Sequence, residues 1–120
     1  MAGIAHFSRF FLWMEQAEHD FLESRGLSVV VEREGERFGL PRVSANCDYL
    51  SPVRYRDVMS ISVKVSQAGR SSIRYEFEFA LQGRPVAKGS VTACFCAMTA
   101  TGIAARPLPE WFRAKLGGGE

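Results

Sequence analysis

The sequence predicts an α+β fold in which one buried helix packs on an antiparallel sheet. An apolar segment with helical periodicity begins near Arg9 and ends before Gly26, whereas the later segments alternate between apolar and polar residues, as strands do. A chain of 120 residues is the size of one domain and can bury a core without a metal or a disulfide. We therefore predict one domain over residues 1–116 and a flexible glycine-rich tail over residues 117–120.

The predicted helix has well-marked boundaries. Ser8 is a suitable N-cap, and Gly26 followed by Leu27 is typical of a left-handed stop, so the helix spans about four to five turns. Its apolar residues predict one buried face and, over the first half, burial almost all round; they are Phe10, Met14, Ala17 and Phe21, widened by Phe11, Trp13 and Leu22. Five polar residues interrupt this apolar pattern, and most of them fall where a helix turns toward solvent; the five are Glu15, Glu18, His19, Asp20 and Glu23. Glu15 stands out because it directly follows the densest apolar run.

Alternation with period two predicts the strands. They lie at residues 28–33, 43–49, 59–66, 73–81 and 85–99, with turns at residues 34–36, 68–70 and 82–83. The last three strands are joined by hairpins and predict a meander. In the final strand one face carries mostly small side chains between Ala87 and Ala97, which would let a helix lie close to the sheet.

Composition excludes several classes of partner. The 15 basic and 13 acidic residues are interspersed, with a formal net charge of +2, and predict neither a nucleic-acid nor a membrane surface. The longest apolar run, residues 10–14, is far too short to span a bilayer, and no signal sequence precedes it, so we expect a cytoplasmic protein.

The cysteines predict neither a metal site nor a disulfide framework. Their number is odd, and the spacing of Cys94 and Cys96 matches no zinc or redox motif, although a strand would place these two thiols on the same face. We therefore expect Cys47, Cys94 and Cys96 to be buried, reduced thiols.

Several segments in a fixed order and spacing resemble those of one protein family. They are Gly-Ile-Ala-His-Phe-Ser-Arg-Phe at residues 3–10 running into Trp-Met-Glu at 13–15, Leu-Pro at 40–41, the segment at 48–57, and Gly-Arg-Ser-Ser at 69–72. Over essentially its whole length the chain resembles hotdog-fold thioesterases of the 4-hydroxybenzoyl-CoA thioesterase-like group. The resemblance implies a curled antiparallel sheet around one long central helix. It also implies an acyl-CoA substrate and a homodimer or homotetramer with active sites at the subunit interface.

The resemblance implies an oxyanion-binding element where the chain enters the helix. A backbone N–H near Phe7 would hold the thioester carbonyl oxygen, and a helix N-terminus, with its unpaired N–H groups and partial positive charge, suits that role. Simple entry into a helix capped by Ser8 is the structural alternative. His6 would donate to the carbonyl or orient water, or else be a packed or surface histidine.

The catalytic acid is where this chain departs from the family. Relatives commonly carry an Asp three residues before Gly3, at the end of a first strand that is missing from this chain. Either the sequence starts too late, or Met1 is the true start and the acid has been lost.

Related enzymes also place an acid on the central helix, so Glu15 is the best substitute. Beside Trp13 and Met14 it would be partly desolvated, which raises a carboxyl pKa toward the range of a general base. A solvated or ion-paired Glu15 remains the alternative.

The turn at Arg70, Ser71 and Ser72 resembles the segment that meets the nucleotide end of coenzyme A. Arginine is a bidentate phosphate ligand, and serine hydroxyls are hydrogen-bond donors. An ordinary polar hairpin turn is the alternative. For Asp57, which follows a Pro-containing loop, we expect a structural role.

The resemblance therefore implies an acyl-CoA thioesterase that needs no metal or redox cofactor. The missing Asp keeps open a non-catalytic module that binds acyl-CoA or acyl carrier protein. A dehydratase acting on acyl-carrier-protein thioesters ranks last, because His6 lies in a loop. Aromatic residues near the helix start suit an aromatic or a short aliphatic acyl group; they are Phe7, Phe10, Phe11 and Trp13.

Overall fold

The computed structural model describes residues 9–54 and 57–117. In chain order the elements are α1 (Arg9–Ser24), β1 (Val30–Arg33), β2 (Glu36–Gly39), β3 (Arg42–Tyr49), β4 (Ser60–Ala68), β5 (Ser72–Leu81), β6 (Arg84–Cys94), β7 (Cys96–Thr99), β8 (Gly102–Ala105) and α2 (Glu110–Leu116). The predicted α+β class and long first helix are confirmed. Of the predicted flexible tail, residues 118–120 lie outside the described residues, as does the Ser8 N-cap.

The strands form two antiparallel sheets of four strands each. Their orders are β1-β2-β7-β8 and β3-β6-β5-β4. The predicted meander of β4, β5 and β6 is confirmed, and Gln82 and Gly83 form its second turn with φ values of 53° and 81°. Such a two-residue turn with positive φ at both positions matches the right-handed twist of the paired strands.

The prediction of one long last strand over residues 85–99 is wrong, because the strand is interrupted at Phe95. The backbone N–H of Cys94 donates to the Pro41 carbonyl at 2.9 Å, and that of Phe95 donates to the Ser71 carbonyl at 2.7 Å. Phe95 itself is buried and stacks on Phe38, with ring centroids 5.0 Å apart. Burying this ring bends the chain out of the first ladder, so β6 and β7 belong to different sheets.

Helix α1 ends as predicted. Gly26 has a φ of 74°, the Leu27 N–H donates to the Leu22 carbonyl at 2.8 Å, and the Gly26 N–H donates to the Glu23 carbonyl at 3.0 Å. These two bonds are the pair that a left-handed residue after a helix makes, and they satisfy carbonyls that the helix leaves open. The buried Leu27 supplies the accompanying apolar contact.

The helix packs on the sheet β3-β6-β5-β4 through a narrow stripe formed by Phe10, Met14, Glu18 and Leu22. A side chain at Gly89 would collide with the Met14 sulfur, so the small residues of β6 do allow the close approach predicted. The prediction that the first half of the helix is buried on almost all sides is wrong for the protomer, because Phe11 is 37% exposed and Leu12 is 60% exposed. A helix lying on one sheet buries only the stripe that faces it.

Several short elements carry no clear sequence pattern and were not predicted. They are strand β2, strand β8 and helix α2, and β1 begins at Val30 rather than at residue 28. Helix α2 is fixed by the fully buried Phe112 and by Arg25, which donates to the Lys115 carbonyl at 3.2 Å. Neither helix found in residues 9–54 and 57–117 is long and apolar enough to cross a membrane.

Candidate active site

Four of the six predicted site residues lie in the described part of the chain. Glu15 is on α1, and Arg70, Ser71 and Ser72 are in and after the turn between β4 and β5. His6 and Phe7, with the predicted oxyanion loop, lie outside the described residues.

The Glu15 side chain is exposed, so the predicted partial desolvation beside Trp13 and Met14 is wrong within one protomer. One residue along a helix is a rotation of about 100°, which carries Glu15 away from the buried Met14. A spacing of four residues instead aligns Glu15 with Phe11 and His19. Phe11 and Glu15 are exposed, whereas His19 is partly buried and its Nε2 is covered. We call Phe11 and Glu15 the open side of α1.

Aromatic rings cluster at the N-terminal end of α1. The centroid of the Phe10 ring lies 5.1 Å from that of Trp13, 5.1 Å from that of Tyr49 and 5.0 Å from that of Phe79. All three pairs have an edge-to-face arrangement. Phe10 and Phe79 are buried, whereas Tyr49 at the end of β3 is 44% exposed. This aromatic cluster gives the start of α1 a rigid apolar wall that reaches the surface.

A buried ionic centre lies beneath the middle of α1. Glu18 is 1% exposed and pairs with Arg42 at the start of β3, so its expected turn toward solvent is wrong. The Tyr75 hydroxyl of β5 lies against the same carboxylate. Burial first, and then the negative charge of Glu18, raise the pKa of Tyr75. The centre ties α1 to β3 and β5.

The signal that could have revealed Glu18 was its spacing. It continues the buried stripe at intervals of four residues, between Met14 and Leu22. Residue type argues against this position, because carboxylates are seldom fully buried unless they are paired. Its partner Arg42 is 24 residues away in sequence, and no local pattern identifies such a pair.

The turn that includes Arg70 is held by backbone contacts. The Gly69 N–H donates to the Ser72 carbonyl at 2.8 Å, and a side chain at Gly69 would come within 2.9 Å of the Ser72 hydroxyl oxygen. From α2, Arg113 donates to the Gly69 carbonyl at 2.8 Å and to the Ala68 carbonyl at 3.1 Å. The exposed Arg70 side chain therefore projects from a fixed backbone.

The structure does not bring this turn next to Glu15 within one protomer. Arg113 joins the turn to α2, and α2 contacts the C-terminal end of α1 through Arg25. Ten residues separate Glu15 from that end, which is about 15 Å along a helix axis.

Two adjoining grooves run along α1 beside β4. The first, about 420 Å³, is largely apolar and is lined by Trp13, Gln16, Ala17, Asp20, Phe21, Ile61 and Val63. The second, about 440 Å³, starts at Phe21 and carries three cations, Arg25, Lys64 and Arg113; none of the described residues that line it is acidic. It ends at Ala68, immediately before the turn of Arg70.

Asp57 has the structural role predicted for it. Its carboxylate accepts a hydrogen bond from the Arg54 backbone N–H at 2.8 Å, and its own N–H donates to the Arg54 carbonyl at 3.1 Å. These two bonds hold Arg54 and Asp57 together.

One long helix lying on an antiparallel sheet, with the aromatic cluster at its start, defines a hotdog-type α+β protein. The model of the thioesterase-like superfamily matches residues 1–116, and the chain belongs to that family. It is 28% identical, over 96% of its length and 92% of the relative's, to a 1,4-dihydroxy-2-naphthoyl-CoA hydrolase of Synechococcus sp. (strain RCC307).

Solved structures agree. A gentisyl-coenzyme A thioesterase superposes with a TM-score of 0.79 at 26% identity, covering 96% of this chain and 88% of the other. A 1,4-dihydroxy-2-naphthoyl-CoA thioesterase from Synechocystis gives a TM-score of 0.80 at 21% identity, covering 96% and 84%, and shares the fold. The predicted family, hotdog fold and thioesterase class are confirmed.

Proposed function

We propose that this thioesterase hydrolyses aromatic acyl-CoA esters, yielding an aromatic acid and free CoA. The observation that carries the proposal is the aromatic cluster at the start of α1. Tyr49 is its exposed member, and Phe11 is exposed on the adjacent open side of α1. Aromatic faces and edges bind a planar acyl ring better than they bind a flexible chain. The names of the relatives, a dihydroxynaphthoyl-CoA hydrolase and a gentisyl-CoA thioesterase, support the same class.

We propose a homodimer built on β3. Within the described residues this strand pairs only with β6, so its other edge presents unpaired N–H and carbonyl groups. Along that edge Val43 is 63% exposed. Exposed apolar edge strands pair with other chains, and two copies of β3 meeting antiparallel would join two sheets into one of eight strands. Further pairing into a tetramer would leave this dimer intact.

The dimer would change the surroundings of Glu15. Arg42 of β3 contacts Glu18, so the open side of α1 lies beside the β3 edge. A second copy on that edge would cover Glu15 and remove water from it. Desolvation raises a carboxyl pKa and makes Glu15 a better general base.

In the proposed reaction Glu15 removes a proton from water, and the water oxygen attacks the thioester carbonyl carbon. The backbone N–H near Phe7 holds the oxyanion that develops, and His6 orients the water or the carbonyl. Collapse of the tetrahedral intermediate breaks the carbon–sulfur bond, and the CoA thiolate leaves and is protonated. Water is the only co-reactant, so the proposal needs no cofactor.

The nucleotide end of CoA is proposed to lie at Arg70, Ser71 and Ser72. The cation-lined groove that ends beside this turn supports a phosphate-bearing ligand there. The pantetheine arm of CoA keeps the nucleotide far from the thioester, so a nucleotide site remote from Glu15 fits the same ligand.

The β4 edge supports a further strand beside it. In the described residues β4 pairs only with β5, and the apolar groove between β4 and α1 leaves Ile61 and Val63 partly uncovered. The open edge of β4 is therefore a place where a further strand can pair.

The three free cysteines support a reducing compartment, and we propose the cytoplasm.

The test is hydrolysis of an aromatic and aliphatic acyl-CoA panel by this chain and by a version extended upstream in its own reading frame. Faster turnover of aromatic esters by either version supports the proposal, and equal rates across the panel contradict it. Activity in the extended version alone assigns the base to the upstream Asp. Activity in both assigns it to Glu15 or His6. Size-exclusion chromatography with light scattering on the same samples tests the dimer.

A further inference from the structure

Cys94 and Cys96 are brought together by the break between β6 and β7. Their Sγ atoms are 3.6 Å apart. In a regular strand, residues two apart are separated by about 6.6 Å along the chain, so the bend at Phe95 is what lets the two sulfurs approach. Both side chains remain free thiols.

The backbone around the pair is fixed from three directions. Cys94 donates its N–H to the Pro41 carbonyl at 2.9 Å, Phe95 donates to the Ser71 carbonyl at 2.7 Å, and Arg106 donates to the Phe95 carbonyl at 3.0 Å. The buried Phe95 ring holds the bend from the core. These bonds fix the backbone positions from which the two thiols approach each other.

The two thiols differ in access. Cys94 is half-buried, whereas Cys96 is 5% exposed. The Cys96 S–H donates to the Cys94 sulfur. Burial, together with Cys94 beside it, raises the pKa of Cys96, so Cys96 keeps its proton while Cys94 is the sulfur that a small reagent reaches first.

We propose that Cys94 and Cys96 are a reversible oxidation site, at which a hydroperoxide converts the two thiols into an intrachain disulfide. With hydrogen peroxide, the Cys94 thiolate attacks one oxygen, the O–O bond breaks, and Cys94 becomes a sulfenic acid. The departing hydroxide takes up the proton that the Cys94 thiol released and leaves as the first water. The Cys96 sulfur then attacks Cys94, the S–O bond breaks, an S–S bond forms, and the second water leaves with the Cys96 proton. The two sulfurs together lose two electrons, and the peroxide gains them.

The disulfide would act on the proposed CoA turn. The sulfurs must close to about 2.05 Å, which moves the backbone on either side of Phe95. Phe95 hydrogen-bonds Ser71 directly, and Cys94 is the ladder partner of Ser72. This coupling rests on the proposed function. It predicts that oxidation raises KM for CoA esters about fivefold, which is the low end of the coupling found between linked sites, and that kcat changes little.

The experiment treats the folded protein with hydrogen peroxide and measures its intact mass. The Cys47→Ser variant, which retains the pair, should lose two hydrogens and regain them with dithiothreitol. Cys94→Ser should not lose them. Cys96→Ser should stop at a sulfenic acid that dimedone traps on Cys94. Peptide mapping then identifies the bridge.

Two results would overturn the proposal. One is a Cys47→Ser protein that gains oxygen or stays unchanged while folded, and the other is a bridge that forms only after unfolding in urea. The mass readout needs no activity, so it decides the oxidation site even if the chain hydrolyses no CoA ester. For the coupling, KM is compared between oxidised and re-reduced Cys47→Ser. An unchanged KM overturns the effect on the CoA turn.

Discussion

The two sides of helix α1 carry carboxylates of the same type in opposite surroundings. On the buried stripe, Glu18 is 1% exposed and paired with Arg42. On the open side, one turn earlier, Glu15 is exposed, and no ion pair to it occurs within the described residues. Glu18 is buried in its ion pair with Arg42, whereas the Glu15 carboxylate can be reached from solvent. The stripe therefore serves stability, and the open side is available for chemistry.

The largest effect that would separate the two sides is expected from Glu15→Gln. The change removes a proton acceptor but keeps the shape of an exposed side chain. If Glu15 is the base, kcat should fall about 100-fold or more, the usual contribution of a general base, while the melting temperature stays unchanged. Steady-state hydrolysis of an aromatic acyl-CoA and a thermal melt measure both.

Glu23→Gln, an equally exposed acid on the same helix, is the matched control and should hydrolyse at the wild-type rate. Undiminished turnover by Glu15→Gln would exclude Glu15 as the base. The chemistry would then belong to His6 or to the upstream Asp.

The next largest effect is expected on the buried stripe, from Arg42→Met. The substitution leaves the Glu18 carboxylate buried without its partner, which typically costs about 3 kcal/mol. Urea denaturation should show this loss as a lower midpoint at unchanged slope. The double variant with Glu18→Leu removes both charges and should recover most of the lost stability. A double variant no more stable than Arg42→Met would show that packing, rather than an unpaired charge, sets the cost.

The same contrast explains what the sequence could predict. The stop signal of helix α1 lies in the residues that directly follow it, and Gly26 and Leu27 make the bonds expected of them. The meander follows from alternation and from the turn at Gln82 and Gly83. Strand β2 and helix α2 are short segments whose structure depends on distant contacts, such as Phe95 on Phe38. Local patterns do not contain such contacts.

The candidate site divides in the same way. The turn at Arg70 was predicted from its own residues, and its backbone is as tight as glycine at position 69 suggests. The Glu18–Arg42 pair and the close approach of Cys94 to Cys96 were not predicted, because each depends on how separate elements meet. Glu15 lies between these cases: its place on the helix was predicted correctly, but its side chain is exposed in the protomer.

The two arginines near the turn differ in the same way as the two glutamates of α1, because one is exposed and the other has a structural role. Arg113 is committed to the carbonyls of Ala68 and Gly69, whereas Arg70 is exposed. Arg70→Ala should raise KM for CoA esters about tenfold, the value of one charged hydrogen-bonding group, and leave kcat unchanged. Small thioesters without a nucleotide should be hydrolysed at the wild-type rate by Arg70→Ala.

Arg37→Ala, at an exposed arginine of β2, is the control and should leave KM unchanged. Equal effects on both substrate types would show that Arg70 does not contact CoA.

The smallest effect tests whether the buried ionic centre excludes water. Because burial raises the pKa of Tyr75, its hydroxyl stays neutral in the folded protein while the unfolded chain loses the proton near pH 10. Stability is therefore complete below pH 10 and falls as the pH rises further. Tyr75→Phe has no proton to lose, so its free energy of unfolding relative to wild type should improve by about 1 kcal/mol between pH 8 and pH 10.5. Urea denaturation of both proteins at the two pH values measures the change, and the contributions of all other titrating groups cancel in the difference. A difference that does not vary with pH would mean that water reaches Tyr75. It would contradict the conclusion that the buried stripe of α1 excludes water whereas the open side does not.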